Sequence, residues 1–172
     1  MTQRIFVPRD ASAVSVGAQR VVRAIEHEAQ SRGLTVEIVR NGSRGLYWLE
    51  PLIEIESSGQ RIAYGPVRPE DVAGLFDAGW LQGGPHALCH GPSEDIPYLK
   101  RQTRLTFARM GVTDPLSLED YRSHGGLKGL ERALAMKAED IVAAIDTGGL
   151  RGRGGAGFPT GIKWRTVMNA GG

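Results

Sequence analysis

Apolar positions along the chain recur with two periods, and the changes between them mark out its elements. Residues 4–8 read as a strand, and residues 16–32 as a helix whose Val21, Val22, Ala24, Ile25 and Ala29 fall at helical spacing. Gly33 stops that helix. Residues 34–40 alternate Leu34, Val36 and Ile38 against Thr35, Glu37 and Val39, the period of a strand. Two further strands, residues 52–56 and 61–64, are joined through Ser57-Ser58-Gly59-Gln60 as a hairpin. Pro69-Glu70-Asp71 then opens a short helix closed by Gly79. The parallel pair crosses over through the first helix, giving a βαβ unit followed by a hairpin and a helix.

That order predicts a thioredoxin-like domain over residues 1–80. Periodicity then lapses, and Gly83-Gly84-Pro85, Gly91-Pro92 and Pro97 mark residues 81–97 as a connector between two units. Residues 98–111 carry a helical apolar face that includes Leu99, Leu105 and Met110, bear four cations and end in glycine, which predicts one helix. Ser117 to Asp120 forms an S-x-x-D start for a short helix, and Gly125-Gly126 precedes helices over residues 127–136 and 138–145. Residues 98–147 therefore read as a helical segment, and the fold class as α/β.

Composition narrows the classes. With 172 residues, 41% hydrophobic and 23% charged, the chain has the makeup of a soluble globular protein with room for one or two small cores. A net charge of +2 gives no footprint for nucleic acid, and the cations of residues 98–111 are spread around the helix without interleaved aromatic platforms. No run approaches the roughly 20 apolar residues of a membrane span. The opening residues lack the apolar stretch of a signal peptide, so a cytoplasmic location is expected. The single Cys89 excludes an internal disulfide and an all-cysteine iron–sulfur cluster held by this chain alone. His86, Cys89 and His90 form an H-x-x-C-H group, at most three of the four ligands of a structural zinc, and no metal site is expected. His27 and His124 read as surface or capping residues.

The candidate chemistry lies in residues 148–172. Gly148-Gly149-Leu150-Arg151-Gly152-Arg153-Gly154-Gly155-Ala156-Gly157-Phe158-Pro159-Thr160-Gly161-Ile162-Lys163-Trp164 places seven glycines in a short basic segment directly after a predicted helix. Glycine lets backbone N–H groups approach a ligand closely, and Arg151, Arg153 and Lys163 add positive charge, a combination suited to phosphate or dinucleotide binding. The segment is neither the G-x-G-x-x-G fingerprint with its expected strand nor a G-x-x-x-x-G-K-[ST] P-loop.

The string resembles, almost residue for residue, the G-R-G-G-A-G-F-P-T-G-x-K-W loop of the NADH-binding flavoprotein subunits of respiratory complex I, NAD-reducing hydrogenases and NAD-dependent formate dehydrogenases. The resemblance extends to Asp95-Ile96-Pro97 with Gln102, to Gly111-Val112-Thr113-Asp114-Pro115, and to Tyr121 with Gly125-Gly126. It implies that residues 148–172 begin an FMN- and NADH-binding α/β domain, with Gly152, Arg153, Gly154, Gly155, Ala156, Gly157, Phe158, Gly161 and Lys163 binding cofactor. Phe158 would stack on the nicotinamide nucleotide and Lys163 would sit against the flavin. A stacking face and a cation near the isoalloxazine are consistent with those roles.

A second resemblance concerns Gly42-Ser43-Arg44-Gly45-Leu46-Tyr47-Trp48-Leu49-Glu50-Pro51, which is similar to the G-C-x-G-L-C-x-x-x-P segment of thioredoxin-like [2Fe-2S] ferredoxins. Ser43 and Tyr47 stand where that family has its second pair of cysteines, and residues 10–17, in the place of the first pair, contain none. A cluster needs soft thiolate ligands, so a ferredoxin-like domain without its cluster is expected. Tyr47 and Trp48 are expected either to plug the vacated space or to face a partner.

The flavoprotein family continues beyond its glycine-rich loop with an acidic N-A-D-E stretch and four cysteines for a [4Fe-4S] cluster. Residues 164–172 read as an exit from the loop rather than a closing helix or strand, so the chain is expected to be an N-terminal piece of a longer subunit. The resemblance implies hydride transfer between nicotinamide and flavin, followed by electron exchange with iron–sulfur clusters. The N-terminal thioredoxin-like unit fits the beta subunit of a cytoplasmic, molybdenum-containing formate dehydrogenase, whose partners would be a ferredoxin-like gamma subunit and a molybdenum-bearing alpha subunit. The alternatives are the diaphorase subunit of a NAD-reducing hydrogenase or complex I-like enzyme, and a non-catalytic adaptor.

Overall fold

The computed structural model describes residues 2–170, so Met1, Gly171 and Gly172, the outer ends of the segments expected at 1–80 and 148–172, lie outside the described residues. The chain divides into two compact units, residues 1–124 and 125–172.

The first unit is built on five strands, β1 (Gln3–Phe6), β2 (Val36–Val39), β3 (Ile53–Ser57), β4 (Gln60–Tyr64) and β5 (Cys89–Pro92), in the order β2-β1-β3-β4-β5. β1 and β2 pair in parallel, and every other pairing is antiparallel. The crossover between β1 and β2 carries α1 (Ala11–Ser15) and α2 (Ala18–Ser31), and α3 (Val72–Asp77) follows the hairpin. This is the thioredoxin-like arrangement that the residue pattern predicts. The helix expected over 16–32 is α2, which starts after Gly17, at φ of +111°; α1 is a further turn before it that the residue pattern does not predict. The hairpin turn is tighter than the four residues expected, since Ser58 and Gly59 both have positive φ and close it in two.

Period-two alternation gives the sheet two chemically distinct faces. Ile5, Val7, Ile53, Ile55 and Tyr64 point to one side, where Val21, Val22 and Ile25 of α2, Leu75 of α3 and Trp80 complete the main apolar core. Glu54, between two inward isoleucines, is turned to the other side and is nevertheless 1% exposed. On that face a smaller core of Leu46, Leu49, Leu52, Ala63, Ile96 and Leu99 packs against the sheet.

Glu54 is sustained there by cations. Arg44 Nη2 lies 2.8 Å from its carboxylate, Arg61 Nη1 lies at 3.6 Å, and Asn41 Nδ2 donates to it at 3.3 Å. Burial pulls the Arg44 guanidinium down, but the charge and hydrogen bonding of Glu54, joined by Glu94 at 2.6 Å, more than restore it and leave its pKa above the ordinary value. Burial also lowers Arg61, which lies 3.5 Å above the Phe6 ring. Arg61 donates to the Gly111 and Val112 carbonyls at 2.9 and 2.6 Å, and Asn41 reaches Gly111 O at 2.8 Å.

Those contacts account for two departures from expectation. Residues 98–111 do not form one helix: α4 (Pro97–Lys100) is a single turn, and the chain continues in turns to Gly111. Leu99 is buried in the smaller core, but Leu105 is 85% exposed and Met110 is exposed as well, so the anticipated apolar face is not covered along its length. The carbonyls at the end of the segment bond to side chains from the sheet. Nor do residues 81–97 act as a connector. They contain β5, which pairs with β4, and the first unit continues through α5 (Leu118–Ser123) to His124. Ser117 caps α5, its Oγ accepting from Asp120 N at 3.1 Å, as the S-x-x-D pattern predicts.

The second unit contains α6 (Lys128–Leu134), α7 (Ala138–Thr147) and α8 (Thr160–Asn169). α8 corrects the expectation that residues 164–172 merely leave the loop. Its Trp164, Val167 and Met168 meet Ala138, Ile141 and Val142 of α7 along an apolar groove, and Arg165 pairs with Asp146 at 2.8 Å. Among the described residues, no helix is long and apolar enough to cross a membrane.

Two stability measurements follow. Arg44→Met strands the Glu54 carboxylate and should cost about 3–5 kcal/mol in urea unfolding, with part recovered when Glu54→Leu is added. Glu50, buried beside Ser43, is raised above the carboxylate range chiefly by burial, with Asp10 and Glu54 adding to the shift against hydrogen bonds from Ser43 and Leu52. A raised pKa means that the protonated form is the favoured folded form, so its stabilisation is present at low pH and lost as pH rises through the folded value. Glu50→Gln should therefore match the wild type near pH 4 and exceed its unfolding free energy at pH 8.

Candidate functional site

α7 ends at Gly148-Gly149, and the chain then makes a closed loop before α8. Arg151 and Pro159 form an antiparallel bridge, framed by Gly152 N donating to Phe158 O at 2.9 Å and Thr160 N to Leu150 O at 2.8 Å. Residues 153–158 project from that base. Gly155 and Gly157, at φ of +111° and +58°, make turns that L side chains rarely adopt. Among the described residues, no protein acceptor takes the amide hydrogens of residues 153–158. Exposed amides in series beside cations form an anion-binding concavity.

The sequence-predicted residues divide by location. Arg153, Gly154, Gly155 and Ala156 form the exposed tip, with Gly152 and Gly157 half-buried at its shoulders. Phe158 is 47% exposed, and Lys163, in the first turn of α8, holds its Nζ 5.7 Å from the centre of the Phe158 ring. A Cβ at Gly152 would lie 3.6 Å from Phe158 O and 3.7 Å from Lys163 Nζ, filling the space between them. Gly161 has a different role: it is buried in the α7–α8 contact, where a Cβ would come within 2.7 Å of Asp146. Arg151, legible only as one more cation, is committed to the loop itself, its Nε donating to Gly157 O at 2.6 Å. The free amides, the ring and the cations fit a phosphate-bearing aromatic cofactor, with Gly152 to Phe158 and Lys163 as the residues that would hold it.

The segment resembling a ferredoxin cluster loop is filled by polar chemistry. Ser43 is buried, its Oγ donating to Glu50 at 2.6 Å and accepting from Gly45 N at 2.9 Å, and Asp10 accepts from Ser43 N. Tyr47 and Trp48 do not plug this space. Both are exposed, and Trp48 packs edge-on against Tyr98 with ring centres 5.2 Å apart. His86 Nδ1 lies 3.2 Å from Leu88 N and His90 Nε2 2.8 Å from Gly65 O, so both rings are engaged with backbone. The polar filling was hidden from sequence reasoning. The alternation in Ile53-Glu54-Ile55 reports which face Glu54 takes, but not that residues from elsewhere cover that face.

No family model matches the chain. It is 48% identical over 69 residues to NADP-reducing hydrogenase subunit HndC of Solidesulfovibrio fructosivorans, covering 40% of this chain and 14% of that protein. It is 55% identical over 51 residues to the F subunit of the NADH-quinone oxidoreductase of Streptomyces coelicolor, covering 30% and 11%. Similarity to the NAD-reducing hydrogenase HoxS subunit alpha of Cupriavidus necator runs over nearly the whole chain: 30% identity across 179 aligned positions, 97% of this chain and 28% of that protein. The homologues are thus oxidoreductase subunits, and the chain spans between about a tenth and about a quarter of the length of these three. Among solved structures, a thioredoxin-like [2Fe-2S] ferredoxin from Aquifex aeolicus is similar with a TM-score of 0.43 and 21% identity, over 52% of this chain and 97% of that one.

Gly161→Ala should lower the thermal stability of the second unit by about 1–3 kcal/mol, because its methyl group meets the α7 backbone. Gly154→Ala, whose Cβ meets nothing within 4 Å, should leave the same melting transition in place.

Proposed function

We propose that this chain is the N-terminal part of a diaphorase-type subunit in which residues 152–163 bind FMN and NADH. The observation that carries the reading is the run of unpaired amides at residues 153–158, flanked by a half-exposed aromatic ring and a lysine. Gly152 and Gly154 leave room for a ligand against the backbone, the free amides supply donors for phosphate oxygens, and Phe158 offers a stacking face. Lys163 supplies a cation beside that face, which favours a cofactor gaining negative charge on reduction. When bound, FMN supplies two-electron chemistry with NADH and one-electron chemistry with iron–sulfur clusters.

The intact subunit is proposed to pass electrons between NADH and the iron–sulfur clusters of partner subunits, with a [4Fe-4S] cluster in its own later sequence. The absence of ferredoxin cysteines at Ser43 and Tyr47 supports placing it in a cytoplasmic NAD-dependent formate dehydrogenase, beside a ferredoxin-like gamma subunit and a molybdenum-bearing alpha subunit. The alignment of 97% of the chain with the HoxS alpha subunit favours a second reading, the diaphorase subunit of a NAD-reducing hydrogenase. The two differ in the partner's substrate, formate or hydrogen.

The full gene product, purified with its partners, should show flavin absorbance and reduce a dye at the expense of NADH. A flavin-free, NADH-inert complex would replace this reading with that of an adaptor. In that complex, Phe158→Ala should raise the KM for NADH about three- to tenfold through lost stacking. Lys163→Met should lower flavin retention, measured as flavin per subunit after dialysis.

A further inference from the structure

Arg151 is the one cation of the glycine-rich segment whose side chain bonds to the far limb of the loop. Its Nε donates to Gly157 O at 2.6 Å, and its own carbonyl accepts from Arg153 Nη1 at 2.7 Å. A peptide unit is planar and trans, so a carbonyl and the N–H that follows it point in opposite directions. With the Arg151 carbonyl turned to Arg153, the Gly152 N–H faces the other way and meets Phe158 O at 2.9 Å. The same rule governs the returning limb. The Gly157 carbonyl is held on the guanidinium, so the Phe158 N–H, which has no protein acceptor among the described residues, is turned away from that group.

Glycines at 155 and 157 allow that peptide plane to rotate at little steric cost, so something other than local backbone preference must fix it. We infer that Arg151 is a positioning residue of the nucleotide-binding loop: by holding Gly157 O it sets the plane of the 157–158 peptide, and thereby aims the Phe158 amide and ring at the ligand. The inference rests on the flavin-nucleotide reading above. It separates Arg151 from Arg153 and Lys163, since a cation serving only as counter-charge to phosphate would be replaced adequately by lysine. The directed Nε–H of a planar guanidinium has no equivalent in an ammonium group on a flexible stem.

The test uses the nitrogen-15-labelled 172-residue chain as wild type, Arg151→Lys and Arg151→Met, titrated with millimolar FMN and followed by amide resonances. Both variants should weaken FMN binding about tenfold, the scale of one charge-assisted hydrogen bond. Both should also displace the Phe158 amide resonance before any ligand is added, while the α7 and α8 resonances stay in place and report an intact unit. Wild-type affinity in Arg151→Lys overturns the inference, and so does an unmoved Phe158 resonance. If the wild-type chain binds no FMN by itself, the flavin reading is decided by the flavin content of the full gene product with its partners, and the Phe158 resonance in unliganded Arg151→Lys still decides whether Arg151 sets that peptide. Should Arg151→Met lose the α7 and α8 resonances, Arg151→Lys carries the comparison.

Discussion

A carboxylate withdrawn from water must be paired, and the first unit is organised around that requirement at Glu54. The strand alternation that sends Ile53 and Ile55 into the main core leaves Glu54 no choice of face. Arg44, Arg61 and Asn41 converge on it, and each carries a length of chain to the sheet. Arg44 and Asn41 bring the 41–44 turn, while Arg61 and Asn41 hold the Gly111 carbonyl and with it the end of an otherwise loosely packed segment. An ion pair of this kind is weak evidence for net stability, but removal of one partner is costly, which makes the arrangement a strong constraint on where these segments lie.

A second polar group lies beside this network, in the segment from Gly42 to Pro51. Ser43 Oγ donates to Glu50, Glu50 accepts from Leu52 N, and Asp10 accepts from Ser43 N, so these three side chains are paired within the fold. At this place the first unit has a hydrogen-bonded core in its interior. Its exposed Trp48–Tyr98 pair lies on the surface, away from that filling.

In the second unit the governing constraint is the reverse: donors are left open. Two helices pack through Gly161, and the loop between them is closed at its base by two backbone hydrogen bonds, leaving its distal amides for something other than protein. Buried amides would be paired within the fold, whereas those of residues 153–158, three of them glycines, have no protein acceptor among the described residues, with Phe158 and Lys163 beside them.

Much of this was legible in the chain. Alternation in residues 53–57 and 60–64, helical spacing in α2, the Ser117 cap and the glycine-rich string each rest on neighbours in sequence, where local geometry dictates the outcome. The states of residues 81–97 and 98–111 depend on distant partners: β5 exists by pairing with β4, and the expected helix at 98–111 is absent where Leu105 and Met110 of its apolar side stay exposed. The exit from the loop proved to be α8, which packs on α7 through the buried Gly161 and the Arg165–Asp146 pair. The sequence by itself determined β1 to β4, α2, the Ser117 cap and the glycine-rich loop, since these follow from residue type and spacing. Only the tertiary structure decided that Glu54 is buried, that Gly161 lies against Asp146, and that Arg151 bonds across the loop, because each depends on what other parts of the chain bring alongside.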